Sequence, residues 1–219
     1  MVEISTSILN VDKENAMKTF YDLEVAKTDY YHIDVMDGKF VEKNTTELMY
    51  DYANSIKHIS NIPLDVHLMV ENVQEYIEQY LELKPHFITI HYEAFKDKNE
   101  IKKTLKYLKE NDIQCGLSIK PKTKIEKIYE FLPQLSLFLM MTVEPGKGGQ
   151  KLIPETIEKI RKLKEYIYQN NLETFIEADG GINTENAAIL RDAGVDIMVV
   201  GSCIINSDDY KKTIKELKK

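Results

Sequence analysis

Residues 30–69 read YYHIDVMDGKFVEKNTTELMYDYANSIKHISNIPLDVHLM, and this stretch contains the unit from which the whole chain is built. It begins with a short, largely apolar run at residues 30–35 and ends with a second one at residues 64–69. Between the two runs, Leu48, Tyr52 and Ile56 recur at helical spacing. We therefore predict a strand, a loop, an amphipathic helix and a second strand, and the apolar character of both runs is typical of parallel strands covered on both faces.

The same unit recurs along the chain. Further apolar runs predict strands at residues 2–9, 87–91, 114–119, 137–143, 174–178 and 197–200. Stripes at helical spacing predict helices around residues 16–23, 48–59, 73–80, 101–108, 125–132, 157–167 and 210–217. We expect eight strands in strict alternation with eight helices, seven of them marked by these stripes, which predicts an α/β fold of the closed (β/α)8 TIM-barrel type. An open, doubly wound sheet is the alternative, but the GxGxxG that typically follows its first strand is absent.

Composition limits the classes of function. The chain has 219 residues, a net charge of -7 and no Pro/Gly/Ser-rich linker, so we expect a single catalytic domain over residues 1–219. No basic stripe is available for nucleic acid, and no apolar run is long enough to cross a membrane. The two cysteines form no CxxC pair and the N-terminus does not resemble a signal peptide, so we expect a cytoplasmic protein.

Polar side chains collect at the predicted carboxyl ends of the strands, where TIM-barrel active sites lie. His32 and Asp34 are two residues apart on one strand and therefore point to the same side, and Asp65 and His67 repeat this spacing. Asp179 ends the seventh strand. Because buried carboxylates are costly without a cation, we predict a metal site, although a single histidine in a strand is more often a packed core residue.

His32, Asp34, His67 and Asp179 would supply two nitrogen and two oxygen ligands. This set suits zinc, manganese, iron or cobalt and does not choose among them. The neighbouring pair Asp37-Gly38 is interpreted as a turn.

Three glycine-bearing loops follow the last three strands. Gly146, Gly148 and Gly149 come after the sixth strand, Gly180-Gly181 after the seventh, and Gly201-Ser202 after the eighth. One such cluster would be an ordinary flexible loop. Three adjacent clusters favour a phosphate site, because glycine lets the backbone amides approach an anion and this is the usual phosphate position in barrels. Met36, Met69 and Met141 near the strand ends are interpreted as packing that could also keep the floor of the site dry.

These motifs together resemble the ribulose-phosphate 3-epimerase family. The resemblance covers nearly the whole chain and rests on SILN (residues 7–10), HIDVMDGKFV (32–41), LDVHLMVEN (64–72), IHYEA (90–94), MTVEPGKGGQK (141–151), EADGGIN (177–183) and VVGSCI (199–204). It implies an isomerase on a TIM barrel that interconverts D-ribulose 5-phosphate and D-xylulose 5-phosphate in the pentose phosphate pathway.

The resemblance also implies roles for individual residues. Asp34 and Asp179 match the two acid/base carboxylates, and together with His32 and His67 they match the ligands of one divalent metal ion per subunit, with zinc the first choice. The substrate-contacting positions match Ser7, His67, Gly146, Gly148, Gly149, Gly180, Gly181, Gly201 and Ser202. We also expect a small phosphorylated ketose as the only substrate partner and a homo-oligomeric state.

Two departures from the family pattern leave the exact substrate preference open. The chain has GKFVEKN where the family usually has GHFVPN, so Glu42-Lys43 is altered, and Lys147 replaces the aromatic residue of PGFGGQ. Lys147 could cap the site with a positive charge or simply face solvent. An epimerase of a hexulose phosphate such as D-allulose 6-phosphate is the first alternative. A lyase of the orotidine phosphate type is a second alternative, but the DxKxxD cluster typical of those enzymes is absent from this sequence. A non-catalytic sugar-phosphate-binding barrel is a third, but it would not need two carboxylates beside two histidines.

Overall fold

In the computed structural model, which describes residues 2–219, eight parallel strands close into a barrel. The strands are β1 (Glu3–Ser7), β2 (Tyr30–Met36), β3 (Leu64–Met69), β4 (Phe87–His91), β5 (Gln114–Ile119), β6 (Leu137–Met141), β7 (Phe175–Asp179) and β8 (Ile197–Val200). The helices are α1 (Ala16–Ala26), α2 (Thr46–Ile59), α3 (Val73–Leu81), α4 (Lys98–Glu110), α5 (Glu155–Gln169), α6 (Ala187–Ala193), α7 (Ser202–Ile205) and α8 (Tyr210–Leu217).

The predicted TIM barrel is confirmed by the strand pairing. Each strand pairs in parallel with its neighbours in chain order, and β1 closes the ring on β8 with Glu3 opposite Ile197. All eight strands lie within two residues of their predicted bounds. The sequence predicts the strand boundaries well because both faces of each strand are covered, which makes the apolar runs nearly continuous.

The helices pack their predicted apolar stripes against the outside of the barrel. In α2, the predicted Tyr52 and Ile56 are buried together with Met49, whereas the predicted Leu48 is half-buried and Ile59 is exposed. The helix predicted around residues 125–132 is wrong: that segment forms two 3₁₀ turns, Ile125–Ile128 and Leu132–Gln134. Pro133 lacks the amide hydrogen that would continue an α-helix, and it also disfavours helical geometry at the preceding residue.

The inside of the barrel is polar through its middle. Near its amino-terminal end, Phe87, Leu137 and Ile197 form a small apolar cluster separate from the main core. Above it, inward-facing positions carry buried polar side chains, namely Ser5, His32, Asp65, His67, Thr89, His91, Ser118 and Glu177. Barrels usually fill these layers with branched apolar residues, so this interior is organised around polar contacts that support the mouth.

Candidate active site

Four side chains from β2, β3 and β7 converge at the mouth of the barrel. Asp34 Oδ1 lies 3.4 Å from His32 Nε2 and 3.5 Å from His67 Nδ1, and Asp179 Oδ2 lies 3.9 and 3.6 Å from the same two nitrogens. The structure therefore brings together all four predicted metal ligands, with ligand atoms within 4.8 Å of one another.

This cluster fits a metal ion. His32 Nε2 and His67 Nδ1 are buried and have no hydrogen-bond partner among residues 2–219, although both point at carboxylate oxygens. Metal–ligand bonds of about 2.1 Å in a regular tetrahedron give ligand–ligand distances of about 3.4 Å, close to the shorter separations found here. The two orphaned ring nitrogens and the two facing carboxylates are thus the donor set that a divalent cation needs.

The ring of His32 is held in one orientation by a second carboxylate. His32 Nδ1 lies 2.6 Å from Asp65 Oδ2, which also accepts a hydrogen bond of 2.7 Å from Ser5 Oγ. Because the ionised carboxylate only accepts, Nδ1 carries the proton and Nε2 remains free to bind a cation. The spacing of Asp65 to His67 predicts only that both side chains point to the same side of the strand, whereas the contact of Asp65 with His32 depends on the pairing of two strands.

Buried charges at the site stabilise one another. Burial opposes ionisation of Asp34, but the neighbouring His32 and His67 outweigh it and hold the pKa of Asp34 well below its usual range. Burial likewise disfavours the charged form of His32, yet Asp65 and Asp34 raise its pKa well above the ordinary value. In the absence of a cation, a proton on His32 therefore supplies the positive charge that these carboxylates require.

Ser7 lies at the end of β1 and contacts the other oxygen of Asp34. Its Oγ donates a hydrogen bond of 2.7 Å to Asp34 Oδ2. Ser7 also packs under Gly201, where an added Cβ would lie 3.3 Å from Ser7 Cβ. The predicted substrate-contacting serine thus lies between one predicted catalytic carboxylate and the loop after β8.

A cavity of about 790 Å³ opens above these side chains. Its lining includes Ser7, Asp34, Asp179, Gly146, Gly148, Gly149, Gly180, Gly181, Gly201 and Ser202, which are the predicted catalytic and substrate-contacting residues except His67. Met36, Met69 and Met141 also line it, and each is at most 2% exposed. The cavity therefore combines an apolar floor, two carboxylates and three glycine-bearing loops, as a site for a small phosphorylated ligand requires.

The glycines of the loop after β7 are required by close approach of other loops. Gly181 has a φ of +69°, and an added Cβ would lie 2.4 Å from the backbone nitrogen of Leu152. Gly180 has a φ of +123°, and its Cβ would lie 2.3 Å from Val143 Cγ2. Only glycine accepts both this backbone conformation and this proximity.

Lys147 lies in the loop at residues 144–150, whose shape is set by Gln150. Gln150 Nε2 donates to the carbonyl oxygens of Glu144 and Lys147, at 2.7 and 2.8 Å. Lys147 is exposed and lies on the rim of the cavity. The lysine side chain that replaces the family's aromatic residue therefore lies in solvent at the entrance of the cavity.

Four further polar residues near the site were not predicted to have a role. Asp37, interpreted from the sequence as a turn residue, also links two loops: it accepts hydrogen bonds of 2.8 Å from the amides of Lys39 and Phe40 and one of 2.7 Å from the amide of Glu71. His91, Glu93 and Glu177 are the others. The HxE spacing of His91 and Glu93 was the only available signal, and it does not reveal that His91 contacts His67.

Glu177 lies on β7 inside the barrel, with both carboxyl oxygens buried and unpaired within the described part of the chain. Burial and the nearby carboxylate of Asp65 raise the pKa of Glu177 well above its usual value. Burial raises the pKa of Asp65 too, but His32 outweighs that effect and lowers it. These opposite shifts favour a neutral Glu177 beside an ionised Asp65.

No helix within residues 2–219 combines the length and the apolar character needed to cross a membrane.

One family of known proteins matches this chain along nearly its whole length. The model of the ribulose-phosphate 3 epimerase family matches residues 3–205. Ribulose-phosphate 3-epimerase of Methanocaldococcus jannaschii is 37% identical over 218 residues, which cover 100% of this chain and 90% of that protein. The enzyme of the same name from Bacillus subtilis is 33% identical over 219 residues, covering 100% and 99% of the two chains.

Solved structures with the same fold are more distant. A 3-hexulose-6-phosphate synthase superposes with a TM-score of 0.72 at 13% identity, covering 99% of this chain and 98% of that one. KGPDC from Streptococcus mutans superposes with a TM-score of 0.73 at 8% identity, covering 100% and 96%. At these identities the likeness shows the barrel alone. The match of the family model over residues 3–205 and the full-length relatives at 33–37% identity show the family as well as the fold: this chain belongs to the ribulose-phosphate 3-epimerase family.

Proposed function

We propose that this protein is an isomerase that interconverts D-ribulose 5-phosphate and D-xylulose 5-phosphate by moving a proton at C3. The observation that carries the proposal is the pair of carboxylates, Asp34 and Asp179, which reach the same two histidines from β2 and β7 and border the same cavity. Full-length relatives bearing this enzyme's name support the choice of substrate.

Epimerisation needs proton transfer on both faces of C3. A single base would tend to return the proton to the face from which it came. Asp34 and Asp179 stand on strands separated by β1 and β8, so a sugar lying across the mouth would have one carboxyl group on each side. One carboxylate removes the proton, the other delivers a proton from the opposite face, and the reverse reaction exchanges their roles.

The surroundings of the two carboxylates suit these roles. The side chain of Asp34 is only 7% exposed and accepts a hydrogen bond from Ser7, whereas the side chain of Asp179 is 15% exposed. The buried methionines of the floor exclude water from the reacting carbon, which strengthens electrostatic interactions there. The hydroxyl of Ser7 keeps Asp34 Oδ2 directed at the cavity.

His32, Asp34, His67 and Asp179 would hold one divalent cation per subunit, and we propose zinc ahead of manganese, iron or cobalt because of the two nitrogen ligands. When bound, the cation supplies positive charge that favours the negative charge developing on the sugar oxygens during deprotonation.

The phosphate end would lie against the loops after β6, β7 and β8. These loops contribute seven residues to the lining of the cavity, namely Gly146, Gly148, Gly149, Gly180, Gly181, Gly201 and Ser202. Backbone amides can approach a phosphate there because no Cβ intervenes. Binding this group positions C3 between the carboxylates, so that phosphate binding energy contributes to the rate.

Solvent isotope exchange tests the proposal. The purified protein is incubated with D-ribulose 5-phosphate in D₂O, and the recovered ketose phosphates are analysed by NMR. Deuterium at C3 and formation of D-xylulose 5-phosphate are expected. Turnover of D-allulose 6-phosphate with no turnover of the pentulose would replace the substrate assignment, and binding without exchange would overturn the enzymatic one.

Three further proposals accompany the function. We propose that residues 1–219 act as one catalytic domain. A homo-oligomeric state and a cytoplasmic location remain predictions, which sedimentation and cell fractionation would measure.

A further inference from the structure

We propose that His91 and Glu93 are positioning residues that hold His67 in the tautomer needed to bind the cation. This inference rests on the proposed metal site, and it assigns a function to two side chains outside that site. Both lie at the carboxyl end of the same strand: His91 is the last residue of β4, and Glu93 lies in the 3₁₀ turn Tyr92–Ala94 directly after it.

A continuous line of short contacts leads from the metal site to Glu93. His67 Nε2 lies 2.9 Å from His91 Nε2, and His91 Nδ1 lies 3.2 Å from Glu93 Oε2. Both histidines are 0% exposed, so water cannot substitute for either contact. The two imidazole rings are tilted by 26° with centroids 5.0 Å apart, so they meet edge to edge through their Nε2 atoms, and the ring of Phe40 packs against His91 at 4.9 Å.

The chemistry of these atoms allows one arrangement of protons. The Glu93 carboxylate only accepts, so His91 Nδ1 carries a hydrogen and donates it. A neutral His91 then presents a lone pair at Nε2, which accepts from His67 Nε2. His67 therefore has its hydrogen on Nε2 and a free lone pair on Nδ1, the atom that faces Asp34 and Asp179.

Glu93 is itself fixed by the loop after β5. Its Oε1 accepts a hydrogen bond of 2.9 Å from the backbone amide of Lys120 and another from the hydroxyl of Thr123. Because both of these donors contact Oε1, the other oxygen, Oε2, is free to accept from His91. The line of contacts thus joins three neighbouring parts of the barrel, β3, β4 and the loop after β5, to one metal ligand.

Replacing Glu93 with glutamine would exchange the donor and acceptor roles along these hydrogen bonds without changing the size or shape of the side chain. The amide of Lys120 can only donate, so the amide oxygen of the new side chain stays opposite it and the NH₂ group faces His91 Nδ1. His91 Nδ1 must then accept, which moves its hydrogen to Nε2. That hydrogen meets the N–H of His67, and the conflict is relieved only if His67 Nε2 accepts and Nδ1 carries the proton. A protonated Nδ1 cannot bind a cation.

The experiment compares Glu93→Gln with wild type by two measurements. Long-range ¹H–¹⁵N spectra of the histidine-labelled, metal-free protein report which nitrogen of His91 carries hydrogen. Titration with Co²⁺, followed by its visible absorption, reports the affinity of the site. We expect the hydrogen of His91 to move from Nδ1 to Nε2, and the Co²⁺ affinity to fall about 10- to 100-fold, the usual effect of losing such a support. Glu130→Gln, at a surface ion pair with Lys98 and Lys102, is the matched control and should change neither.

A second pair of variants separates positioning from packing. His91→Gln retains an acceptor near the position of Nε2, whereas His91→Phe retains the ring but no acceptor. We expect His91→Gln to bind Co²⁺ at least tenfold more tightly than His91→Phe. If Glu93→Gln does not fold, this pair still decides the matter. Equal Co²⁺ affinity for both His91 variants, or an unchanged affinity in Glu93→Gln, would overturn the inference. Absence of Co²⁺ binding by the wild type would instead overturn the proposed metal site.

Discussion

The two oxygens of Asp34 face different partners. Oδ1 points at His32 Nε2 and His67 Nδ1, and Oδ2 accepts a hydrogen bond from Ser7. One carboxylate can therefore contribute to a cation site through one oxygen and present the other to a substrate. Asp179 lacks such a serine partner among the described residues and is more exposed, so the two catalytic candidates have unequal environments.

Asparagine at either carboxylate position should stop proton transfer and leave the fold intact. Asp34→Asn and Asp179→Asn preserve shape but remove the group that accepts a proton, so we expect kcat to fall at least about 10²- to 10⁴-fold. Turnover, bound metal and thermal unfolding should be measured together, because both residues are also proposed ligands. Asp192→Asn, at an exposed position on α6, is the control. Near-normal turnover by Asp34→Asn would contradict the assignment.

Glu177 should make stability depend on pH. Its folded-state pKa is raised far above the unfolded value near 4.5, so the carboxyl takes up a proton on folding at neutral pH. The resulting stabilisation is complete below pH 4.5 and is lost as the pH rises toward the folded-state pKa. Glutamine needs no proton. Between pH 5.5 and 7.5 we expect Glu177→Gln to gain stability relative to wild type by up to about 1.4 kcal/mol per pH unit.

Urea unfolding in the presence of a chelator measures this difference. Glu173→Gln changes an exposed side chain four residues earlier, and it should keep the pH dependence of the wild type. A Glu177→Gln protein whose stability runs parallel to wild type across the same pH range would show that the carboxyl is not neutral when folded.

At the scale of elements, the site is made by strand ends and completed by loops that contact one another. The loop after β7 touches the loop after β6 at Gly181, and the loop after β8 touches β1 at Gly201. Strands set the direction of the histidines and aspartates through their period of two. The loops set the width of the cavity through backbone approach, which a strand pattern does not encode.

Two glycines with nearly equal φ test how much the close contact between loop backbones contributes to stability. Gly149 and Gly181 have φ values of +72° and +69°, but an added Cβ is free of contacts within 4 Å only at Gly149. Gly149→Ala should cost about 1–2 kcal/mol for the left-handed conformation. Gly181→Ala should cost clearly more, because its Cβ also meets the backbone of Leu152. Equal urea midpoints for the two variants would show that the loops separate without penalty.

At the scale of the whole molecule, one ion would connect strands from both halves of the ring. The proposed ligands lie on β2, β3 and β7, so a bound cation links parts of the chain more than a hundred residues apart. A ligand that binds only the folded protein stabilises it, by about 4 kcal/mol at a concentration a thousandfold above its Kd. For a chain of this size, that corresponds to roughly 8–16 °C in Tm.

Metal removal should therefore reduce both activity and Tm. We expect the chelated protein to lose turnover and to unfold several degrees lower, with both recovered on adding Zn²⁺, Mn²⁺, Fe²⁺ or Co²⁺. His32→Asn should show little shift in Tm when the ion is added. Full activity in protein verified to be metal-free would remove the cation from the mechanism.

Much of this protein was determined by local sequence alone. The apolar runs predicted all eight strands, and their alternation with helical stripes predicted the barrel, because covered parallel strands and amphipathic helices leave distinct periodic patterns. The spacing of His32 with Asp34 and of Asp65 with His67 predicted side chains pointing the same way. Local patterns failed at residues 125–132, where the apolar stripe is buried but the segment forms 3₁₀ turns, because Pro133 cannot donate the amide hydrogen bond that would continue an α-helix.

The tertiary structure alone decided which polar atoms face each other. Asp65 lies in the sequence beside His67 yet supports His32, and His91, twenty-four residues from His67, reaches its Nε2. These pairings depend on the register between neighbouring strands, such as His32 opposite Asp65 across β2 and β3. A residue's own spacing reveals the side of the strand it occupies. Only closure of the barrel fixes the partner on the next strand, because register is set by the packing of all eight units together.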